Sequence, residues 1–578
     1  MLPELLIDWR KSFASTGTAL VLAIACPQPA LALGTGPVDE TVVEGSADGE
    51  MVSEAVDLPG LIESRLALSM RAADDVTLLF YRQRGFLPAW TRPELLQGLV
   101  EAVEALDEHG LDPEDFAQDR LRTEALWPQQ ELPPDGVVER ELLFTDTLAR
   151  LVQQLRHGKV DPRSLYRDWN FSRPAPPREQ AERLAQLLGM PGDDGTPGSG
   201  RAEGAERSGL AAAVLAQAPD LELYRQLQLA LKQYRGIVAE TNDWPKVSAG
   251  PTLRPGERGA RVVEVRMRLV AEGETELAWS ADAALFDPAL AEAVKRFQQR
   301  AGLAPDAAIG RQTVAALNLG PAQRVAQIRV NLERLRWVAQ DMQGDHLLVD
   351  LTGYQARLQR GGQLAWSSRV IIGKPARETP ALLDSVQYLV LNPKWVVPPT
   401  ILREDLIPGV IRDPDYLAKR RMRVVDHAGG EIDAQQIDWE AARRHGFPYL
   451  VEQSPGADGS LGRIKFALAN PYLIYLHDTN ARSLFRRDTR ALSSGCVRVE
   501  KPLELATLLL DDARRWSPEA LEEALATGKT RTVTVRRKLP VLLHYATAGL
   551  DDDGRMQFRP DIYARDAAVL AALRGTVR

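Results

Sequence analysis

The spacing of apolar residues changes partway along the chain, and this change limits the folds that the sequence can adopt. Up to about residue 341, apolar positions recur every three or four residues, as in LLQGLVEAVEALDEHGL at 95–111, which is the period of a one-sided helix. From residue 346 onward they alternate, as in HLLVDL and YQARLQ, which is the period of a strand. The 578 residues are 44% hydrophobic and can bury several cores. We predict an α+β multidomain protein that is helical first and mainly β afterwards.

Turn signals predict how the helical part is divided. Residues 58–250 are predicted to form an all-α scaffold region, because motifs such as Leu111-Asp112-Pro113 separate its helices. Residues 191–208 are rich in Gly, Pro and Ser without any periodicity, which predicts a mobile loop within this region. Residues 321–343 are predicted to form one amphipathic helix that leads into the β-rich part.

Residues 344–578 are predicted to form a mainly β domain. Its strands are predicted at LAWSSRVIIG, VQYLVLN, YLIYLH and RTVTVRR. The stretch from about 396 to 460 differs, because it begins with prolines and has a charged, helix-favouring middle. We predict that this stretch is an inserted subdomain that caps the sheet.

The first 32 residues have the pattern of an export signal. Arg10 and Lys11 precede an apolar run from Ala14 to Ala25, and Ala30-Leu31-Ala32 supplies a cleavage pattern of small residues. The run is shorter than the roughly 20 residues that span a bilayer. We expect export to the periplasm with no stable membrane span after cleavage. An uncleaved anchor and a lipid-modified Cys26 are the alternatives.

The chain is acidic overall, which limits its partners. Residues 33–57 are small and acidic, and are predicted to be a flexible spacer. The formal net charge of -8 argues against nucleic acid as a general partner, because phosphate binding needs clustered basic surface.

The sequence has two cysteines, Cys26 and Cys496. Cys26 would leave with the signal, so the mature protein would keep one thiol in an oxidising compartment, where a lone thiol is a liability. Such a thiol is either buried and inert, or present because it is reactive.

The residues around Cys496 favour reactivity. The predicted strand from Tyr472 to Leu476 delivers His477 at its end, and imidazole can shuttle a proton for a thiol. Gly495 permits a sharp turn, at which its N–H and that of Cys496 can stabilise an oxyanion. Arg498 adds positive charge for a thiolate or a substrate carboxylate.

Each of these residues also has a structural interpretation. A histidine at a strand end is often structural, a cysteine in an apolar stretch is often core, and Arg498 can pair with Glu500. A metal site at His477-Asp478 is not favoured, because no second His or Cys stands at ligand spacing.

The combined string HDT followed by SSGCVRV resembles the catalytic signature of the YkuD-type L,D-transpeptidase family. Three stretches are most similar to the large periplasmic, YcbB-like subgroup: LNPKWVVPP, LGRIKF and the closing LHYATAGLDDDGRMQFRPDIYARD. That subgroup combines a helical scaffold, a peptidoglycan-binding domain and a catalytic domain with a capping insertion. Two positions depart from the family pattern: Asn480 replaces a common proline, and Ser494 replaces a histidine of many shorter relatives.

Residues 251–320 resemble the small three-helix peptidoglycan-binding domain. The turn from Gly256 to Gly259, the AVKRFQ helix and the IGRQT turn stand where that family has them. Ala307 departs from the family's usual glycine. The alternative is that these apolar positions only form a helical core.

The resemblance implies a reaction and a set of site residues. Cys496 would attack the third-residue carbonyl of a stem tetrapeptide, His477 would act as general acid and base, and release of D-alanine would leave a thioester. A second stem's amine would then form a 3→3 peptidoglycan crosslink. The resemblance implies that no metal or cofactor takes part. It also implies that carbapenem β-lactams are inhibitors. The residues expected to bind substrate are Tyr475, Trp395, Ser493, Ser494 and Asp478.

Two rival functions stay open at this point. The same thioester with water as acceptor would make the protein an L,D-carboxypeptidase or a crosslink-cleaving peptidase, because acceptor choice depends on the shape of the groove. A catalytically silent wall-binding protein is the rival from another class.

Overall fold

The computed structural model describes residues 56–575 except 168, 173, 190–206, 242, 457 and 552. The predicted export signal, Cys26, almost all of the predicted spacer and most of the predicted mobile loop lie outside these residues. The described residues up to 338 are mainly helical and a β-rich C-terminal part follows them, which confirms the predicted fold class. No helix in the described part is long and apolar enough to cross a membrane.

The first part of the chain is helical, as its periodicity predicts. Asp75 starts the second helix by accepting a 2.9 Å hydrogen bond from the Leu78 N–H, and Asp287 starts the tenth in the same way at 2.8 Å. The helices of this part are α1 Leu58–Leu68, α2 Val76–Gln83, α3 Pro93–Glu104, α4 Gln118–Leu126, α5 Pro134–His157, α6 Pro177–Leu188, α7 Gly209–Leu215, α8 Glu222–Glu240, α9 Ala260–Ala271, α10 Pro288–Arg300, α11 Arg311–Leu317 and α12 Pro321–Val338.

Helix α12 corresponds to the predicted connecting helix, but it is not amphipathic along its whole length. Every residue from 330 to 338 is buried, including the ion pair of Glu333 and Arg336 at 2.7 Å. Arg336 also donates to the Tyr224 hydroxyl at 2.9 Å, and Glu333 accepts the Val160 N–H at 2.7 Å. These buried charges are tolerated because each is paired and hydrogen-bonded. The prediction of a polar face was wrong here, because α12 is surrounded by protein.

The C-terminal part contains an eleven-stranded sheet. Its order is β14-β5-β10-β11-β13-β3-β2-β1-β15-β4, and β12 pairs with β3. Strand β11 lies between β10, which is antiparallel to it, and β13, which is parallel to it. The strands are β1 His346–Asp350, β2 Gln355–Arg360, β3 Gln363–Gly373, β4 Leu382–Ser385, β5 Tyr388–Leu391, β10 Ile464–Ala467, β11 Leu476–His477, β12 Ala491–Ser493, β13 Val497–Val499, β14 Arg531–Thr534 and β15 Pro540–His544. A separate hairpin is formed by β16 Ala548–Leu550 and β17 Met556–Phe558.

The stretch predicted to cap the sheet has a small sheet and an apolar core of its own. Its four strands have the order β6-β9-β7-β8, and the buried side chains of Val397, Leu406, Val424 and Val451 belong to its core. Its elements are β6 Trp395–Val396, α13 Pro399–Ile401, α14 Ile407–Arg412, α15 Tyr416–Lys419, β7 Met422–Val425, β8 Glu431–Ile432, α16 Trp439–His445 and β9 Leu450–Gln453. Three further helices, α17 Pro502–Leu510, α18 Pro518–Ala526 and α19 Asp566–Arg574, pack around the main sheet.

The strand predicted from Tyr472 to Leu476 is shorter than expected, since β11 begins only at Leu476. Leu473 has a φ of +57°, which breaks the extended conformation. The Asn470 side chain also accepts hydrogen bonds from the N–H groups of Tyr472 and Ile474, which competes with strand pairing. This irregular segment directs backbone groups toward the neighbouring turn at Cys496.

Candidate active site

A cavity of about 590 Å³ contains most of the residues singled out from the sequence. The main sheet contributes residues 472–475, His477 and the turn at 493–496, and the capping subdomain contributes Trp395 and residues 398–401. The cavity therefore lies where the centre of the main sheet meets the cap.

The register of the sheet places His477 between two cations. His477 is paired with Lys465 on β10 and with Arg498 on β13, and its side chain is 4% exposed. Burial lowers the pKa of His477 most, and the positive charges of Arg498 and Lys465 also lower it, so that it is about 3. The imidazole is therefore neutral at neutral pH. Its Nδ1 lies 2.5 Å from the Asp478 carbonyl oxygen and donates to it. This tautomer leaves Nε2 as a proton acceptor.

The thiol of Cys496 stands just before β13, at the wall of the cavity. Its S–H donates to the Leu473 carbonyl at 3.6 Å, and Tyr475 supplies a side-chain hydrogen bond. Burial raises the pKa of the thiol, while the hydrogen bonds of Tyr475 and the charges of Lys465 and Arg498 act in the opposite direction. At neutral pH the cavity therefore holds a neutral thiol and a neutral imidazole. In the described part of the chain, no hydrogen bond joins these two groups directly.

Tyr475 lies at the centre of this cluster. The Lys465 Nζ lies 3.9 Å from the centroid of the Tyr475 ring, and the His477 ring lies 5.5 Å from it. Burial raises the pKa of Tyr475 well above its usual value, so the phenol keeps its proton. The Arg498 Nε is buried and has no hydrogen-bond partner among the described residues. The cluster thus provides cations beside the thiol that are able to stabilise negative charge.

Hydrogen bonds fix the turn that carries the thiol. The Ser493 hydroxyl donates to the Cys496 carbonyl at 2.6 Å and accepts the Gly495 N–H at 3.2 Å. The Thr379 hydroxyl donates to the Gly495 carbonyl at 2.7 Å. The Gly495 N–H is engaged in this way, whereas the Cys496 N–H has no acceptor among the described residues.

Replacing Gly495 with alanine is expected to reduce turnover about 100-fold, because it displaces this turn. Gly495 has a φ of +115°, and an added Cβ would lie 3.3 Å from Ile474 Cδ1. Such backbone strain costs roughly 1–3 kcal/mol. D-alanine release from a stem tetrapeptide, the reaction that the sequence resemblance implies, measures the effect. Gly236→Ala is the control, because a Cβ there meets no atom within 4 Å, and equal activity of both variants would contradict the expectation.

Arg377 connects the turn to the cap. Its guanidinium donates to the Ser494 hydroxyl at 3.0 Å and to the Glu404 carboxylate at 2.9 Å. It also forms an ion pair with Asp405. Ser494, which is exposed in the cavity, is therefore held between two parts of the molecule.

Comparison with protein families identifies the domain that holds this cavity. The YkuD model, described as "L,D-transpeptidase catalytic domain", matches residues 344–535. Residues 344–535 form a YkuD-type domain. A model described as "Scaffold domain" matches residues 76–231, and one described as "Putative peptidoglycan binding domain" matches residues 258–317.

Individual proteins resemble parts of the chain. A protein of Haemophilus influenzae named "Putative L,D-transpeptidase" is 38% identical over 264 residues, which are 45% of this chain and 53% of that protein. The match thus spans about half of the relative's length. The solved Ldtfm–avibactam carbamoyl enzyme is 14% identical, with 35% of this chain and 49% of that chain covered and a TM-score of 0.17. An L,D-transpeptidase of Xylanimonas cellulosilytica is 14% identical, with 51% and 99% covered and a TM-score of 0.18.

Most of the predicted residues line the cavity of the YkuD domain, but one does not. Asp478 was expected to bind substrate, yet it is 4% exposed and does not line the cavity. Its carboxylate accepts the Arg463 N–H at 2.9 Å and pairs with Arg482 at 2.8 Å. Asp478 therefore holds the backbone beside His477. Cys496, His477, Gly495, Arg498, Tyr475, Trp395, Ser493 and Ser494 all line the cavity.

Sequence reasoning missed four groups that shape the site of the YkuD domain: Lys465, the Leu473 carbonyl, Thr379 and Arg377. Lys465 stands in the LGRIKF stretch that resembles the family, and Gly373 with Thr379-Pro380 matches the family as well. These matches were available as signals, but the role of each residue depends on a contact made through the fold.

The protonation states predict how the thiol of the YkuD domain reacts with iodoacetamide. Because burial raises the pKa of Cys496, the alkylation rate should increase about tenfold per pH unit from pH 7 to 9. A preformed thiolate–imidazolium pair would instead react at a constant rate from pH 5 upward. Alkylation followed by mass spectrometry distinguishes these two pH dependences. The substitution Cys26→Ala leaves Cys496 as the only cysteine of the sequence, so the alkylation rate is that of its thiol.

Proposed function

We propose that the protein is a peptidoglycan L,D-transpeptidase that forms 3→3 crosslinks through a thioester on Cys496. The observation that carries the proposal is the convergence of Cys496, His477 and Arg498 in one cavity of a YkuD domain. The match to a peptidoglycan-binding model at residues 258–317 supports peptidoglycan as the substrate. The YcbB-like subgroup, with its cap, is part of the same proposal.

The first half of the reaction forms the thioester. The Cys496 thiol gives its proton to the His477 Nε2 while the sulfur attacks the carbonyl carbon of the third residue of a stem tetrapeptide. The tetrahedral intermediate then collapses, and the bond to the terminal D-alanine breaks. The departing amine takes the proton back from His477, so D-alanine leaves as a neutral amine and the acyl group stays on sulfur.

Negative charge on the intermediate has defined partners in this proposal. The Cys496 N–H donates to the developing oxyanion, because the Gly495 N–H is bound to Ser493. Arg498, whose Nε is unpartnered among the described residues, and Lys465 supply positive charge in a buried site, where such charge acts strongly.

The second half of the reaction decides between a transpeptidase and a hydrolase. An amine of a second stem attacks the thioester, His477 accepts its proton, and the sulfur leaves as a thiol. Water in place of the amine would give an L,D-carboxypeptidase or a crosslink-cleaving peptidase. The proposal favours the amine, since Trp395 and residues 398–401 of the cap line the cavity and would limit the access of water to the thioester.

Location and inhibition follow from the same chemistry. Crosslinking of peptidoglycan requires the cell envelope, and the signal pattern of residues 1–32 supports a periplasmic location with a role in wall biogenesis and cell shape. Carbapenem β-lactams would acylate Cys496, since their strained carbonyl accepts the same nucleophile.

Incubation with purified disaccharide tetrapeptide tests the proposal. Mass spectrometry should find a 3→3 crosslinked dimer together with free D-alanine. Tripeptide without any dimer would support the hydrolase, and unchanged tetrapeptide would exclude both enzymes and favour a silent wall-binding protein.

A further inference from the structure

Arg377 joins two parts of the molecule that together enclose the cavity at Cys496. It ends a short turn, Pro375–Arg377, which follows β3. Its guanidinium reaches the cap, where it donates to the Glu404 carboxylate at 2.9 Å and to the Asp405 carboxylate at 3.0 Å. One cation, whose side chain is 11% exposed, therefore binds two neighbouring carboxylates of the cap.

The segment that carries Arg377 is fixed to the turn of the thiol on both sides. Before Arg377, the Lys374 N–H donates to the Ser493 carbonyl at 3.0 Å. After it, the Thr379 hydroxyl donates to the Gly495 carbonyl at 2.7 Å. The backbone position of Arg377 is therefore set by the turn of the thiol, while its side chain extends to the cap.

The two carboxylates stand on the same helical segment as the residues of the cap that line the cavity. Helix α13, Pro399–Ile401, lines the cavity, and a π-turn formed by Leu402–Leu406 follows it directly. Glu404 and Asp405 lie in this π-turn. Such turns are rare and are frequently found at functional sites. Because the segment is continuous, a cation that holds the π-turn also fixes α13 against the cavity.

The Arg377 cluster is the main ionic contact between the cap and the rest of the molecule. In the described part of the chain, one further ion pair joins residues 396–460 to residues outside this stretch, namely Lys394 with Glu452 at 4.0 Å. That pair is long and lies where the chain enters the cap. A guanidinium that donates several hydrogen bonds to two carboxylates binds more strongly than an isolated surface pair.

We propose that Arg377 is a positioning residue that holds the cap over the thioester and so favours an amine over water as the acceptor. This role rests on the proposed function, because it requires a thioester that either acceptor can attack. With Arg377 in place, α13 stays against the cavity and limits the access of water. Without it, Glu404 and Asp405 lose the cation that they share, and the π-turn is released from the turn of the thiol.

Arg377→Met tests this role in the full chain with disaccharide tetrapeptide as substrate. The ratio of tripeptide to crosslinked dimer is expected to rise at least about tenfold, because the cap loses its charged contact. Total D-alanine release should fall by no more than about fivefold, since the turn of the thiol loses one hydrogen bond, that to Ser494. A merely structural defect would lower D-alanine release without changing the ratio.

Arg403→Gln is the matched control. Arg403 pairs with the same Glu404 carboxylate at 2.9 Å, but it is 69% exposed and does not line the cavity. Its product ratio should equal that of wild type. Removing the carboxylates instead, with Glu404→Gln and Asp405→Asn together, should raise the ratio as Arg377→Met does. Adding Arg377→Met to this pair should change the ratio no further, because all three substitutions break one cluster.

Hydrogen exchange tests the contact independently of activity. The amides of residues 402–406 should exchange at least about tenfold faster in Arg377→Met than in wild type or Arg403→Gln. Equal exchange, or an unchanged product ratio in an active Arg377→Met enzyme, would overturn the role of Arg377. A wild-type chain that releases no D-alanine would instead overturn the proposed reaction, and the exchange rates would still show whether Arg377 holds the cap.

Discussion

Replacing Cys496 with alanine is expected to abolish both D-alanine release and crosslink formation, with a loss on the order of 10⁴ or more in kcat/KM. The thiol is the acyl acceptor in the proposed reaction, and no other cysteine occurs among the described residues. Its neighbours Tyr475, Lys465 and Arg498 would still bind substrate and stabilise charge. The variant should therefore retain binding of the tetrapeptide while turnover disappears.

Cys26→Ala is the matched control for this loss, because it removes the second cysteine of the sequence and should leave turnover unchanged. Rates are measured by chromatography of released D-alanine, with thermal unfolding as the check on folding. Turnover by Cys496→Ala within tenfold of wild type would mean that a different group performs the attack.

Replacing His477 with glutamine is expected to lower the single-turnover rate of D-alanine release by about 10² to 10⁴. Glutamine keeps polar atoms in the space of the imidazole but cannot accept and return a proton. The hydrogen bond from His477 Nδ1 to the Asp478 carbonyl, which leaves Nε2 free, is the structural basis of this role.

The pH dependence gives a second test of His477. A group whose pKa is lowered to about 3 stays in its basic form above that pH, so the wild-type single-turnover rate should differ by no more than about twofold between pH 5 and 7. An acid limb with a midpoint near 6.5 would show that the imidazole keeps its ordinary pKa. The exposed His427 in the cap supplies the control variant His427→Gln, which should behave as wild type.

The candidate reactive residues could be singled out from the sequence because they stand within a short segment. His477 and the turn from Ser493 to Arg498 are 16 positions apart, and their chemical types already indicate a nucleophile and a base. The change from helical to alternating apolar spacing likewise predicted the order of the helical and β parts. Domain boundaries drawn from the sequence, such as that at residue 250, remain predictions.

The surroundings of the candidate reactive residues could not be predicted, because they depend on long-range pairing. Lys465 reaches His477 only through the register of β10 with β11. The carbonyl of Leu473 reaches the thiol only because Leu473 adopts a positive φ, which an apolar residue rarely does. The wrong expectation for α12 has a related cause: charged residues such as Glu333 and Arg336 are typical of surfaces, and only their mutual pairing permits burial.

The central claim is that Cys496 carries the acyl group of the donor stem. Intact-protein mass spectrometry after brief mixing with tetrapeptide, followed by peptide mapping, tests it most directly. We predict an adduct with the mass of the tetrapeptide less free D-alanine, located on Cys496 and discharged when an acceptor amine is added. This claim would be contradicted by an active enzyme that forms no adduct under rapid quenching, or by one that carries the adduct on another residue.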